Sequence, residues 1–395
     1  MKKLEKSVPV IRFKGFSEAW EQRNFIEIIN RLSKTSNSSI LPKVEYEDII
    51  AEEGRLNKDI SNKFDSRKGI LFQPKNILYG KLRPYLKNWL YPDFKGVAVG
   101  DFWVFEAIEA TPRFIYNLIQ SDSYQKVAND TAGTKMPRSD WTKVSNSSFF
   151  IPKESSEQKR IGTFFKQLDD TIALHQRKLD TLKQMKKGLL QQMFPKSEED
   201  VPKIRFADFD EEWYQRKLGE EFEKINERND GSFGKTHWIS VAKMYFVEPN
   251  KVLSNNIDTR TYVMRKGDIA FEGHSNTDFK FGRFVANDIG PGIVSELFPV
   301  YRHKTNYDNN YWKNAIQLEH IMAPIYSKSI TSSGNSSNKL DSKHFLNQKI
   351  YIADFEEQEK IGSIFKQLDN TIILYQNKLN KFDILKKAYL QTMFI

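Results

Sequence analysis

"IGTFFKQLDDTI" occupies Ile161–Ile172, and "IGSIFKQLDNTI" occupies Ile361–Ile372. The likeness extends without a gap from Glu157–Phe194 to Glu357–Phe394, with more than half of the positions identical. A second pair of blocks repeats in step. "VPVIRFKGFSEAWEQR" (8–23) aligns with "VPKIRFADFDEEWYQR" (201–216), so that Pro9/Pro202, Arg12/Arg205, Phe13/Phe206, Trp20/Trp213 and Arg23/Arg216 coincide. The chain therefore reads as block, insert and long repeat, twice over. The two inserts, about 24–156 and 217–356, are much less alike. A period this long is the duplication of a whole module rather than a solenoid.

The long repeat reads as a helix. Ile161, Phe165, Leu168, Ile172, His175, Leu179, Leu182, Lys186, Leu189 and Met193 step alternately by four and three, the a/d spacing of a coiled-coil seam. The second copy places Ile361, Phe365, Leu368, Ile372, Tyr375, Leu379, Phe382, Lys386, Tyr389 and Met393 on the same steps. No proline interrupts 158–194, which allows one helix of about 50 Å at 1.5 Å per residue. An apolar stripe must be covered, and the other copy is the natural cover. If the halves are related by a two-fold axis, the two helices run antiparallel. The alternative is that each helix packs only on its own domain.

Helical periodicity fades in the inserts. "GILFQPKNILYGKLRPYL", "GVAVGDFWVF", "TYVMRKGDIAFEG", "FGRFVANDIGPGIVSELFPVYRH" and "KIYIADF" are short apolar runs broken by Gly, Pro and Asn. They read as β-strands joined by polar loops. "RFIYNLIQSDSYQKVAND" and "NYWKNAIQLEHIMAPIYSK" look helical and hold similar places in the two halves. Each precedes a glycine-centred polar loop, around Gly133 and Gly334. The fold class is thus α+β: two β-rich domains, each followed by a long helix, the helices pairing as an antiparallel coiled coil in a pseudo-two-fold duplication. The expected segments are 1–156 (first domain, with block 8–23), 157–194 (central helix), 195–356 (second domain, with block 201–216) and 357–395 (C-terminal helix). Inserts that share a fold and differ in surface residues suit two readers of two different things.

Bulk composition narrows the function. A length of 395 residues supports two domains with their own cores. With no cysteine, the chain has no disulfide, thiolate metal site or cysteine nucleophile. Neither a run of apolar residues of membrane-spanning length nor a signal-peptide core is present, so we expect no membrane association and a cytoplasmic location. Sixty-one Lys plus Arg against 51 Asp plus Glu leaves a net charge of +10, which suits a polyanionic partner. Basic, hydroxyl and amide side chains in loops can bond phosphates or base edges. The DNA-binding candidates are Lys81, Arg83, Lys135, Arg138, Ser332, Ser333, Asn335 and Lys339.

Catalytic motifs are missing. The Asn/Asp-Pro-Pro-aromatic tetrapeptide of adenine methyltransferases does not occur. "GSFGKT" at Gly231 is too short for a phosphate loop, because Asn229 stands where the first glycine is needed; it reads as a turn. "PDFKG" at Pro92 lacks a following acidic-x-Lys partner, and the six histidines lack metal spacing. We therefore expect no catalytic residue and no metal site.

The block order, "EQKRIGTFFKQLDDTIALHQRKLDTLKQMKKGLLQQMF" with "EQEKIGSIFKQLDNTIILYQNKLNKFDILKKAYLQTMF", and "RFKGFSEAW" with "RFADFDEEW" together resemble the specificity subunit of type I restriction–modification enzymes. The resemblance covers essentially the whole chain. It implies that the inserts are target recognition domains, each reading half of a bipartite site on double-stranded DNA, with the paired helices as the ruler between them. It also implies a non-catalytic subunit that binds no cofactor of its own and recruits two methyltransferase subunits and two restriction subunits. S-adenosylmethionine, ATP and Mg would then be bound by those partners, and methylation would fall on adenine. The Lys186 and Lys386 steps polarise the seam, which leads us to expect its distal third to face methyltransferase subunits. A stand-alone methyltransferase or nuclease with unrecognised motifs is the enzyme-class alternative. A purely structural coiled-coil scaffold leaves two β-rich domains without a purpose.

Overall fold

A computed structural model describes residues 7–131, 135–196, 199–253, 257, 259–333 and 337–395. The chain divides into two compact units, 1–176 with 377–395, and 177–376. The linear boundaries expected from the sequence give each long helix a segment of its own. The compact units instead each take half of both helices. The long helices are α1 (Ser155–Gln192) and α2 (Phe355–Thr392), and no helix of the described residues is long and apolar enough to cross a membrane.

Each unit is closed by the same strand pair. In the first, Glu21–Asn24 runs antiparallel to Ser148–Ile151, with Glu21 opposite Ile151. In the second, Tyr214–Lys217 pairs with Lys349–Ile352. The end of each short repeated block is thus sewn to the strand that leads into a long helix. Between these closures lies a four-stranded sheet of the same order. In the first unit it runs Ile29–Leu32, Phe102–Ala107, Ile77–Gly80, Trp89–Leu90; in the second it runs Phe222–Ile225, Val300–His303, Ile269–Glu272, Arg283–Ala286. The first unit adds a second four-stranded sheet, built from Thr35–Ser36, Gly69–Phe72, Gly96–Ala98 and Lys43–Val44. The two stretches expected to be helical form helices Pro112–Leu118 and Asp122–Ala128, and Asn309–Ala315 and Glu319–Ser329.

A buried carboxylate joins block to helix in both units. Glu157, in the first turn of α1, receives Arg12 Nε and Nη2, each at 2.7 Å, and Trp20 Nε1 at 3.3 Å. Glu357 receives Arg205 Nε and Nη2, each at 2.8 Å, and Trp213 Nε1 at 2.9 Å. Both glutamates are almost wholly buried. Such a charge is tolerated only when it is paired and its lone pairs are filled, and a forked guanidinium plus an indole N–H supplies that. The next residue works in the same way. Gln158 accepts from Thr111 N at 2.8 Å and donates to Pro152 O at 2.9 Å, and Gln358 donates to Ala353 O at 2.9 Å.

The seam is divided between two jobs. Ile161 and Phe165 lie in the core of the first unit with Trp20, Phe114, Leu390, Met393 and Phe394. Ile361, Phe365 and Leu368 lie in the core of the second with Met193, Phe194 and Trp213. The end of one helix therefore plugs the domain at the start of the other. Phe394 meets Trp20, Phe114 and Phe165 at ring separations of 6.4, 5.4 and 6.0 Å. Phe194 meets Trp213, Tyr311 and Phe365 at 6.3, 5.2 and 6.0 Å. The block backbone also caps these ends, with Ile11 N donating to Thr392 O at 3.0 Å and Ile204 N to Gln192 O at 2.9 Å. Such bonds satisfy carbonyls that a helix C-terminus leaves orphaned.

Further along, the helices pair directly and antiparallel. Leu179 and Leu379 are buried, Leu168 nearly so, and Ile172, Leu182, Ile372 and Phe382 are half-buried. His175 stacks on Phe382 at 5.3 Å. The structure shows what the lysine steps face. Lys186 pairs with Asp369 at 2.5 Å and Lys386 with Asp169 at 2.8 Å, both across the helix pair. Each lysine step is therefore met by an aspartate of the partner helix.

Two expected outcomes follow from this packing. Glu157→Ala strands the Arg12 charge and should cost about 3 kcal/mol or more in denaturant unfolding, whereas Arg12→Met with Glu157→Leu, which removes both charges, should recover most of that loss. Gly362 and Gly188 should respond with opposite signs to alanine. A Cβ at Gly362 would sit 1.9 Å from Asp308 Oδ1, which caps helix Asn309–Ala315 by accepting from Tyr311 N; its displacement should cost about 1–2 kcal/mol. A Cβ at Gly188 meets nothing within 4 Å, so Gly188→Ala should stabilise by about 0.5–1 kcal/mol.

Candidate nucleic-acid interface

In the first unit the structure brings two loops together that are more than fifty residues apart in sequence. Strand Ile77–Gly80 hands over to residues 81–88, which are folded back on themselves, so that Gly80 N donates to Asn88 O at 2.7 Å. A short 3₁₀ turn, Pro84–Leu86, fills the loop between two left-handed residues, Arg83 (φ 48°) and Lys87 (φ 55°). Non-glycine residues rarely hold that conformation, and its occurrence at a loop tip points to a functional constraint. The second loop, 135–139, is zipped alongside. Arg83 N donates to Pro137 O at 2.7 Å and Ser139 N to Lys81 O at 2.9 Å, and Leu82 faces Arg138 across an antiparallel bridge.

All four candidates of this unit thus sit on one patch. Asp101, at the mouth of the adjacent strand, ties it together. Its carboxylate lies 3.0 Å from Arg138 Nη2 and 3.6 Å from Lys81 Nζ, and its carbonyl accepts from Lys81 N at 2.9 Å. The Tyr46 hydroxyl donates to the same carbonyl and accepts from Leu82 N at 3.1 Å. Burial pushes that phenol far above its ordinary range, so it stays a neutral donor. Arg83 and Lys135 are exposed and form no ion pair among the described residues. Exposed Tyr85 and Met136 flank them.

In the second unit the same framework carries different chemistry. Strand Ile269–Glu272 takes the sheet position of Ile77–Gly80, and residues 273–282 leave it as residues 81–88 do in the first unit. The neighbouring element is a hairpin, Ile330–Ser333 with Asn338–Leu340, in which Ser332 is opposite Lys339 and Ser333 opposite Asn338. Loop and hairpin meet at a glycine: Asn338 N donates to Gly273 O at 2.9 Å, and a Cβ at Gly273 would fall 2.2 Å from Asn338 O. Lys339 is exposed. Asn335, Gly334 and Gly133 lie outside the described residues.

The stretch 273–282 is a candidate segment that the sequence reading passed over. Its signal is the polar run "HSNTD" directly after an apolar strand, where the first unit has "KLRPYLKN". Asn276 Oδ1 accepts from Asp278 N at 2.9 Å and Phe279 N at 3.0 Å, so the loop is held by its own amide. His274 is anchored to the buried Glu272 carboxylate through its backbone N–H at 3.0 Å and through Nδ1. Ser275, Thr277 and Lys280 are exposed along it. The first unit therefore presents mainly cations beside its central strand, and the second mainly hydroxyl, amide and imidazole groups. Forked cations suit guanine and phosphate, and amides suit adenine edges.

Comparison with known proteins bears on the family and the fold. Residues 18–184 match the family model described as type I restriction modification DNA specificity domain. No curated protein sequence matches the chain. Among solved structures, the S subunit of the type I restriction-modification system from M. genitalium aligns with a TM-score of 0.60 at 14% identity, over 98% of this chain and 99% of that one. A chain from work on complex assembly and conformational transition of the type I R-M system aligns with a TM-score of 0.53 at 17% identity, over 94% and 96%. The resemblance read from the repeats is borne out: residues 18–184 match the type I restriction–modification DNA specificity domain, and the whole chain shares the fold of type I specificity subunits.

Proposed function

We propose that this chain is the sequence-reading subunit of a type I restriction–modification complex. Each unit reads one half of a bipartite site on double-stranded DNA, and the paired helices set the spacer between the half-sites. The observation that carries the reading is the repeated framework with divergent loops. In both units a second loop or hairpin docks beside the loop that leaves the central strand, and the side chains offered there differ. A duplicated enzyme would repeat its chemical groups; here the repeated polar residues Arg12/Arg205, Trp20/Trp213 and Glu157/Glu357 are bonded to one another where block meets helix.

In this reading the chain is non-catalytic and acts in the cytoplasm. Two methyltransferase subunits bind S-adenosylmethionine and modify adenine, and two restriction subunits supply ATP- and Mg-dependent cleavage. The decisive experiment is methylation mapping in a host that carries this subunit with its partners. Exchange of residues 24–156 for a relative's insert should alter one half of the methylated sequence and leave the other untouched. A change in both halves would refute the modular assignment.

Two further outcomes are expected. Exposed, and in no ion pair among the described residues, Lys135 fits a phosphate contact. Lys135→Ala should weaken binding similarly on all sequences and lower the salt slope by about one. Four residues inserted after Leu182 lengthen α1 by about 6 Å at 1.5 Å per residue. With a rise of about 3.4 Å per base pair, the mapped spacer should grow by roughly one to two base pairs while the recognised bases stay the same. Because four residues nearly complete a helical turn, the seam survives the insertion. An active variant with the original spacer would show that the helices are not the ruler.

A further inference from the structure

The basic patch of the first unit has an acid at its centre. Asp101 should repel DNA, and a surface built only for affinity would not place it there. Its surroundings suggest another purpose. The backbone around it is doubly held, with its carbonyl bonded by Lys81 N and by the Tyr46 hydroxyl, so the carboxylate has a defined position. That carboxylate touches Arg138 through Nη2 alone, at 3.0 Å, and reaches Lys81 Nζ at 3.6 Å. Arg138 remains half exposed. An arginine has five N–H donors in a rigid fork. One contact at Nη2 restricts the swing of the guanidinium and occupies one of those donors, so Nη1 still has both of its hydrogens to offer to a ligand.

Resting on the DNA-reading function above, we propose that Asp101 is a positioning residue that aims Arg138 at a guanine in the half-site read by the first unit. Two parallel N–H donors match the N7 and O6 acceptors of guanine in the major groove. A free arginine would lose rotamer freedom on binding; one already tethered loses less. The same carboxylate draws Lys81 inward and weakens the patch for DNA of any sequence. Asp101 thus trades non-specific attraction for discrimination. Arg83, unpaired and held in a left-handed turn beside it, is left to the backbone phosphates.

The test selects a randomised DNA duplex library on the full chain with its co-expressed partner subunits, then compares binding to the selected site and to unrelated duplex. Asp101→Asn, which keeps the shape and removes the charge, should raise affinity for unrelated duplex. It should also reduce discrimination at one G·C pair by about tenfold, within the range of a bidentate base contact. Arg138→Lys, which keeps the charge and loses the fork, should reduce discrimination at the same pair. Equal losses on all sequences from Asp101→Asn would make the pair a mere surface brace and overturn the proposal. So would an unchanged preference in either variant. Failure of the unaltered chain to select any sequence would overturn the DNA-reading function itself, a result distinct from the other two.

Discussion

A carboxylate buried at the first turn of a long helix holds each half of this protein together. Glu157 and Glu357 are the only acids that meet both an arginine fork and an indole N–H among the described residues. Each sits at a helix N-terminus, where the helix dipole favours negative charge. Each draws in the short block that opens its half, and the adjacent glutamine bonds the strand that precedes the helix. The link is directional, since a guanidinium matches a carboxylate in one plane. Block and helix are therefore joined by bonds of defined direction, and the strand pair that closes each unit lies beside that joint.

The second constraint is shared cores. Phe394 completes a cluster that begins with Trp20, and Phe194 completes one with Trp213. Both are at the ends of helices whose starts serve the other cluster. The first unit consequently assembles from segments separated by two hundred residues, and its core is incomplete until the last helix is in place. The ion pairs Lys186–Asp369 and Lys386–Asp169 lie along the same helix pair. Their net contribution to stability is small, since desolvation offsets much of the attraction. Their place in the seam instead fits the setting of register, as polar residues do at coiled-coil a positions.

With the framework held by the repeated blocks and helices, the inserts are free to diverge where nothing structural depends on them. The loops after the central strands show this. Residues 81–88 and 273–282 leave corresponding strands, yet one is folded by left-handed residues around a 3₁₀ turn and the other by an asparagine cap. Both are pinned by a close neighbour, Pro137 to Ser139 in one case and Asn338 in the other. Loops held on a common scaffold can change their surface chemistry without refolding the domain beneath.

The repeats and their spacing were enough to establish the duplication, the two long helices and the alternation of β-rich insert and helix, because periodicity and repetition are local properties of a chain. The strands of the inserts were legible for the same reason, from short apolar runs ended by glycine and proline. The partner of Glu157 was not. Arg12 and Trp20 were visible as repeated residues, but only the fold brings them to a carboxylate more than a hundred positions away. The partners of the seam lysines were hidden as well, because a sequence shows a charge on an apolar stripe but not the aspartate opposite. In the candidate interface, Lys81, Arg83, Lys135 and Arg138 were chosen by residue type in two separate loops. Their meeting on one patch, the acid at its centre and the role of residues 273–282 came from tertiary pairing alone, since hydrogen bonds between distant backbones leave no trace in local pattern. What a loop side chain faces is decided by its neighbours in space, and those are chosen by the fold.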